Sequence, residues 1–258
     1  MATPPLPELE ASSGSAFVTT SARAGDGEIS RAHAVATLLG WPYVPRTMNL
    51  APLLARRADP LAYVISRARE ALCAPGAELT TGPGMFHHVL DLGARHPLAI
   101  AVGNAASVVD GTLGLAKDAL HIAQLTGAAV TGLEGSLPLA TLAEAGLQRL
   151  AREGAPWSPA AARVTVVAAD AREWLATRLR CVDVVYLDPM FETPGQAAPG
   201  FELLRRLALP TPLEHLLEVA RRAAKLRVVV RLPRAVALPP GATRVRGQAV
   251  DYAVIPAG

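Results

Sequence analysis

From about residue 97 onward, short valine-rich apolar runs alternate with longer stretches in which apolar residues recur every three or four positions. The short runs predict buried strands and the longer stretches predict amphipathic helices. The predicted strands are 107–110, 129–134, 164–167, 182–187, 227–231 and 249–255. The predicted helices are 115–126, 137–152, 171–178 and 213–224, with a long Gly- and Pro-rich connection over 192–212. This alternation predicts an α/β fold with a doubly wound, mainly parallel sheet.

The beginning of the chain has a different pattern. Residues 1–15 are rich in Pro, Ser and Glu and are expected to be a disordered tail. A strand at 16–22 and a helix at 26–39, capped by Asp26 and ended by Gly40, are followed by short apolar runs between 52 and 87. We therefore expect a small α+β accessory domain over 16–96, which would recognise the substrate, and a larger catalytic domain over 97–258.

Composition narrows the class of protein. The chain has 258 residues, of which 51% are hydrophobic and 18% charged, as in globular proteins. The net charge of +3 is compatible with a nucleic-acid partner. Neither Cys73 nor Cys181 lies in a metal-ligand spacing, so no metal site is expected. No signal peptide and no apolar run of about 18 residues is visible, which predicts a soluble, cytoplasmic protein without a membrane span.

The run from Asp183 to Phe191 is the most informative for chemistry. It is typical of a buried strand that ends in Asp188-Pro189-Met190-Phe191. Asp188 can accept a hydrogen bond from a flat exocyclic amine, and Pro189 fixes the backbone so that a nearby carbonyl can accept a second one. Phe191 offers a ring on which a base can stack. The alternative interpretation is a strand followed by a proline turn, with Phe191 in the core.

Acidic residues follow four successive predicted strands: Asp110, Glu134, Asp170 and Asp188. The first of them precedes a glycine-rich turn that includes Gly114, but the turn lacks the Gly-x-Gly-x-x-Gly spacing of dinucleotide sites. Acids at these positions suit a cationic ligand, and S-adenosylmethionine carries a sulfonium and an ammonium group. Glu134 is placed to bind ribose hydroxyls and Asp170 to meet the adenine amine. The pattern predicts a Rossmann-like class I methyltransferase.

Three segments resemble the motifs of one family, the ribosomal small-subunit methyltransferase J type with its uncharacterised Gram-positive relatives. Residues 107–118 resemble its cofactor motif, 130–135 its second motif, and 184–191 its third. The segments 17–21, 41–46 and 97–103 also resemble that family or those relatives, so that the similarity covers about residues 16–235. The chain departs from the family pattern at Ala116, where many relatives have glycine, and after Phe191, where a basic stretch is missing.

The resemblance implies methylation of the exocyclic N2 of a guanine in 16S ribosomal RNA, with ribosomal RNA or the small subunit as partner. The cofactor contacts that it implies are Lys117, Asp118, Glu134, Gly135, Asp170, Ala171 and Asp188. In the mechanism that we expect, Asp188 and the Pro189 carbonyl orient the amine in line with the methyl group, and Phe191 stacks on the base.

Three alternatives remain open at this point. The chain could methylate another planar amine, such as a different RNA base, a DNA base or a protein glutamine. It could also be an inactive relative that binds RNA, or an oxidoreductase with a nucleotide cofactor. The target nucleotide, the oligomeric state and the roles of His87 and His88 are left undetermined by the sequence.

Overall fold

The computed structural model describes residues 15–190, 199–209 and 211–258. Residues 1–14 of the predicted tail and Phe191 therefore lie outside the described residues. Contacts between residues divide the chain into two compact units. The first unit contains residues up to 68 together with 72–76, and the second contains 69–71 and all residues from 77 onward.

The first unit is a small α+β structure. Its strands are β1 (Ala16–Thr20), β2 (Leu61–Ile65) and most of β3 (Glu70–Ala74), and they are adjacent in that order, with β1 and β2 parallel. Its helices are α1 (Asp26–Leu39) and α2 (Leu50–Ala55). The predicted cap of α1 is wrong by one position, because Gly25 is the N-cap residue. The backbone N–H of Gly25 donates to Glu28 Oε2 at 3.1 Å, and Gly40 ends the helix at a φ of +65°.

The second unit contains eight strands and eight helices among its described residues. The strands are β4 (Ala77–Leu79), β5 (Ser107–Asp110), β6 (Ala129–Glu134), β7 (Val164–Ala168), β8 (Val182–Leu187), β9 (Ala224–Pro233), β10 (Thr243–Arg246) and β11 (Val250–Pro256). The helices are α3 (Phe86–Leu92), α4 (Pro97–Val102), α5 (Lys117–Thr126), α6 (Leu137–Arg152), α7 (Ser158–Ala161), α8 (Ala171–Ala176), α9 (Pro199–Leu207) and α10 (Leu213–Ala223).

Seven of these strands form one sheet in the order β10-β11-β9-β8-β5-β6-β7. The five strands from β9 to β7 are parallel, and β11 lies antiparallel between β9 and β10. From β5 the chain first proceeds outward through β6 and β7, and then returns to the other side of β5 with β8 and β9. The direction therefore reverses between β5 and β8, which is where open α/β sheets bind ligands.

Apolar side chains cover both faces of this sheet. Along β8, Val184 and Tyr186 belong to the cluster that packs with α5 and α6, whereas Val185 and Leu187 belong to the cluster that packs with α8 and α10. Successive residues of a strand point to opposite faces, so an unbroken apolar run is what a strand buried on both sides requires. Full burial of such side chains contributes about 1.5–3 kcal/mol each.

The predicted α/β fold and the six strands predicted from residue 107 onward are confirmed. The prediction missed β10, which has a single apolar residue between two arginines. It also missed α9, which lies inside the expected connection 192–212. From residue 77 onward the chain contacts mainly other residues of the second unit, whereas the predicted domain boundary was 96/97. The reason is that α3 and α4 pack against α5 and place Phe86 in the core of the second unit.

Within the described ranges, no helix is both long enough and apolar enough to cross a membrane.

Candidate functional site

The candidate site lies at the carboxyl ends of β5, β6, β8 and β9, and the loop after β5 is its centre. Two hydrogen bonds attach this loop to neighbouring strands: Gly111 N donates to Tyr186 O at 2.9 Å and Leu113 N to Leu133 O at 3.1 Å. The loop ends at Ala116, which has a φ of +60° and precedes α5. Left-handed backbone costs a non-glycine residue about 1–2 kcal/mol, so the glycine of the related family would be relaxed at this position.

Glu134 holds the same loop from β6. Its side chain is buried, Oε2 accepts a hydrogen bond from Gly114 N at 2.9 Å, and Oε1 accepts one from Ser136 N at 2.8 Å. Burial raises the pKa of Glu134, while the backbone N–H groups of Ser136, Gly114 and Gly135 act in the opposite direction. Glu134 therefore fixes the distance between the glycine-rich loop and the end of β6.

Asp110 is almost completely buried at the end of β5. Its Oδ1 accepts hydrogen bonds from Thr112 N at 2.9 Å and from Thr112 Oγ1 at 3.3 Å. Burial raises the pKa of Asp110 to about 8, so near neutral pH the carboxyl group is largely protonated. In this structure Asp110 organises the turn that follows it, and direct contact with a cofactor stays a prediction.

Thr112 also connects the loop to Asp188. Its hydroxyl oxygen accepts a hydrogen bond from Asp188 N at 2.6 Å, while its hydroxyl hydrogen faces Asp110. The side chain of Thr112, the second residue after β5, thus holds Asp188, the first residue after β8.

Arg231 of β9 bridges two carboxylates of the site. Its Nη1 donates to Asp188 Oδ2 at 2.8 Å and to Asp118 Oδ2 at 3.1 Å. The Tyr186 hydroxyl donates to Asp118 Oδ2 at 2.5 Å. Burial, together with the charge of Asp118, raises the pKa of Tyr186 well above 10, so this hydroxyl stays protonated.

The pKa of Asp188 is raised to about 6. Burial is the largest cause and the nearby Asp118 carboxylate adds to it, whereas the charge and hydrogen bond of Arg231 lower the pKa. About a third of the Asp188 side chain remains exposed to solvent, so the group is accessible to a substrate. A carboxylate that titrates near pH 6 and is held by a cation can act as a hydrogen-bond acceptor at neutral pH.

The remaining predicted residues lie around this centre. Asp170 caps α8 through its Oδ1, which accepts from Glu173 N at 3.0 Å, and Ala171 is the first residue of that helix. Lys117 is the exposed first residue of α5. Gly135 follows β6, and a Cβ there would lie 2.6 Å from Leu209 Cδ1, so no side chain fits in the present arrangement.

Pro189 is half-buried directly after β8, and Phe191 lies outside the described residues. His87 is exposed, whereas His88 is half-buried, with its ring centroid 6.1 Å from that of His96. Within the described part of the chain, no group of three or more His, Cys, Asp or Glu side chains could hold a metal ion.

Sequence reasoning missed Thr112, Tyr186 and Arg231. A signal existed for Arg231, since a charged residue that follows three valines in a buried strand needs a partner. Its partners could not be read from the chain because β8 and α5 become its neighbours only through the strand order.

The residues present fit S-adenosylmethionine. Carboxylates from four elements face one edge of the sheet, which favours a ligand with a sulfonium and an ammonium group. A Cβ at Gly111 would lie 2.8 Å from Leu187 Cδ2, so glycine at this position lets the loop pack directly against the end of β8. The carboxylates at this edge are thus compatible with a cationic nucleoside.

Comparisons with known proteins agree with this geometry. A family model described as a putative SAM-dependent methyltransferase matches residues 77–243. The ribosomal RNA small subunit methyltransferase J of Nitrosococcus oceani is 34% identical over 225 residues, which are 80% of this chain and 85% of that protein. The protein of the same name from Laribacter hongkongensis is 42% identical over 171 residues, 63% of this chain and 60% of that protein.

An uncharacterised protein of Bacillus subtilis is 30% identical over 225 residues, covering 83% of this chain and 88% of its own length. A solved SAM-dependent methyltransferase from Neisseria gonorrhoeae superposes with a TM-score of 0.65 at 23% identity, covering 93% of this chain and 96% of its own. That similarity supports the fold.

The position of Glu134 leads to a binding prediction. Glu134→Gln keeps the size of the side chain but removes the negative charge that holds the loop, so the Kd for S-adenosylmethionine should rise about tenfold or more, equivalent to about 1.4 kcal/mol. Calorimetric titration measures this change. Glu144→Gln, an exposed substitution of the same kind on α6, serves as the control and should bind like the wild type. Equal affinities for both variants would contradict a role of Glu134 in the cofactor site.

Proposed function

This chain belongs to the SAM-dependent methyltransferase family whose model matches residues 77–243, and from that premise we propose that it methylates the exocyclic N2 of a guanine in small-subunit ribosomal RNA. The observation that carries this proposal is the Asp188 carboxylate, held by Arg231 at the reversal of strand order and followed directly by Pro189. The relatives named as small-subunit methyltransferases support the choice of RNA. The protein would act on ribosomal RNA or the small subunit in the cytoplasm.

The side chains of the site would orient the amine. Asp188 Oδ2 is held by Arg231, and we assign Oδ1 to accept one hydrogen of the guanine amine. The carbonyl of Pro189 would accept the other, which turns the nitrogen lone pair toward the cofactor pocket. When bound, S-adenosylmethionine supplies the methyl group. Alignment of this kind can contribute about 7–11 kcal/mol to the acceleration. Phe191 is proposed to stack on the guanine.

No strong base is required of these residues. The amine nitrogen loses its proton after it has gained the methyl group, and Asp188, with a pKa of about 6, can accept that proton near neutral pH. Asp118, Tyr186 and Arg231 do not touch the amine in this scheme. Arg231 lowers the pKa of Asp188 and orients its carboxylate, while Asp118, which accepts hydrogen bonds from Tyr186 and Arg231, holds the guanidinium in place.

The substrate proposal predicts a specific product. With radiolabelled cofactor and unmodified small subunits or their RNA, the wild type should yield N2-methylguanosine, identified by mass spectrometry. Asp188→Ala should lower kcat about 10²–10³-fold because one charge-assisted contact to the amine is lost. Asp91→Ala, which removes an exposed carboxylate from α3, is the control for folding and should retain full activity.

If the radiolabel appears in DNA or protein instead of RNA, the substrate is another planar amine and the proposed guanine is wrong. Cofactor binding without transfer to any of these acceptors would identify an inactive relative.

The pKa of Asp188 leads to a pH prediction. The carboxylate must be ionised to accept the amine hydrogen, so kcat/KM should fall as the pH decreases through about 6. Arg231→Met removes the cation that lowers this pKa, so the acidic limb should move to higher pH. Arg231→Lys keeps the charge and should restore a limb close to that of the wild type. A purely structural Arg231 would change the amplitude of the profile and leave the limb in place.

We also propose that the amino-terminal segment predicted as an accessory domain, residues 16–96, selects the substrate. Arg56 and Arg67 are exposed cations in the first unit and are candidates for RNA contacts. Replacing both by Gln should raise KM for RNA while the Kd for S-adenosylmethionine stays constant. Asp26→Asn, an exposed substitution on α1, is the control and should leave KM unchanged. Unchanged KM in the double variant would remove these two arginines from the proposal.

A further inference from the structure

A second set of arginines lies on the same sheet edge as Asp188. Strands β9 and β10 both pair antiparallel with β11, so they run in the same direction and end at the same edge. Arg231 is opposite Tyr252, which is opposite Val245, and Arg246 is one residue nearer the carboxyl end of β10. Neighbouring strands lie about 4.8 Å apart, so Arg246 is about 14 Å from the end of β8, three strands away.

Asp251 builds the structure that presents this arginine. The carboxylate is buried, its Oδ2 accepts from Arg244 Nη1 at 2.7 Å, and its Oδ1 accepts from Gly247 N at 3.2 Å. Arg244 also donates to Arg234 O at 3.2 Å and to Val236 O at 2.9 Å. The charge of Arg244 is therefore neutralised internally, and the turn after β10 is fixed to the end of β9.

Two further arginines extend from this scaffold toward solvent. Arg234 is 58% exposed and donates to the Gly247 carbonyl, and Arg246 is exposed at the end of β10. The sequence from 234 to 250 contains no Asp or Glu, so Asp251 is the acid that opposes the three arginines of this segment. The result is a positive patch beside the site, which we name the arginine edge and define as Arg234 and Arg246. Arg246 lies beyond residue 243, where the family match ends.

We propose that the arginine edge binds phosphates of the RNA strand that carries the target guanine. This inference rests on the proposed function, since it takes the nucleotide at Asp188 as part of a polymer. A stacked strand advances about 3.4 Å per nucleotide, so 14 Å corresponds to a phosphate about four nucleotides from the target base, and fewer if the strand is extended. Guanidinium groups bind phosphate oxygens through two parallel hydrogen bonds, and their planar shape suits this role.

The spacing favours RNA over an acidic protein segment. Asp188 and the arginine edge both lie at the carboxyl ends of the sheet strands, so an RNA strand with its base at Asp188 can run along this edge toward β10. On the side of β9, β11 and β10, this RNA strand meets the positive charge of the arginine edge about 14 Å from the end of β8. An acidic protein partner would require no such relation to Asp188.

The test is the salt dependence of RNA methylation. Arg246→Gln should raise KM for RNA about fivefold and reduce the slope of log KM against log salt by about 0.7, the value for one phosphate contact on a single strand. The kcat and the Kd for S-adenosylmethionine should stay constant. Arg246→Lys retains the charge and should keep the slope. Arg222→Gln, at the opposite sheet edge where α10 leads into β9, is the matched control and should behave like the wild type.

The outcomes separate the two proposals. If the wild type methylates no RNA, the proposed function fails, and the same variants are then compared in direct binding of 16S RNA by fluorescence anisotropy. If RNA is bound or methylated and Arg246→Gln leaves both KM or Kd and the salt slope unchanged, the arginine edge is overturned. A defect confined to assembled subunits and absent on naked RNA would also overturn it, because the contact would then be to a ribosomal protein.

Discussion

The site depends on the guanidinium of Arg231, which holds two carboxylates of like charge at one edge of the sheet. Asp118 is the second residue of α5 and Asp188 follows β8, so the two salt bridges join the helix after the glycine-rich loop to the end of β8. Without the cation, repulsion from Asp118 would raise the pKa of Asp188 further and push the two carboxylates apart. The ion pairs are partly exposed, so their main effect is on orientation and ionisation rather than on global stability.

The loop after β5 shows how the surrounding fold supports this arrangement. Backbone bonds to Tyr186 and Leu133 and the carboxylate of Glu134 attach it to both neighbouring strands. Thr112 then joins it to Asp188. A loop restrained from both sides pays little entropy when a ligand binds, which is the general advantage of a preorganised site. The left-handed backbone of Ala116 contributes to the conformational energy that this loop arrangement costs.

Much of the fold could be predicted from the sequence because strands buried on both faces require continuous valine-rich runs. Asp188 and Glu134 could be predicted as site residues since they directly follow such runs. The partners of Arg231 could not, because they depend on which strands become neighbours. The N-cap of α1 was predicted at Asp26 instead of Gly25, because glycine has no side chain that would indicate a cap. Helix α9 was missed because it starts with Pro199 and Gly200, residues that usually indicate a turn.

From Ala77 onward the chain belongs continuously to the second unit, and the family match begins at the same residue. The residues of the candidate site thus all lie within one unit and within the part of the chain that the family model matches. Substitutions before residue 77 therefore leave every residue of the candidate site unaltered.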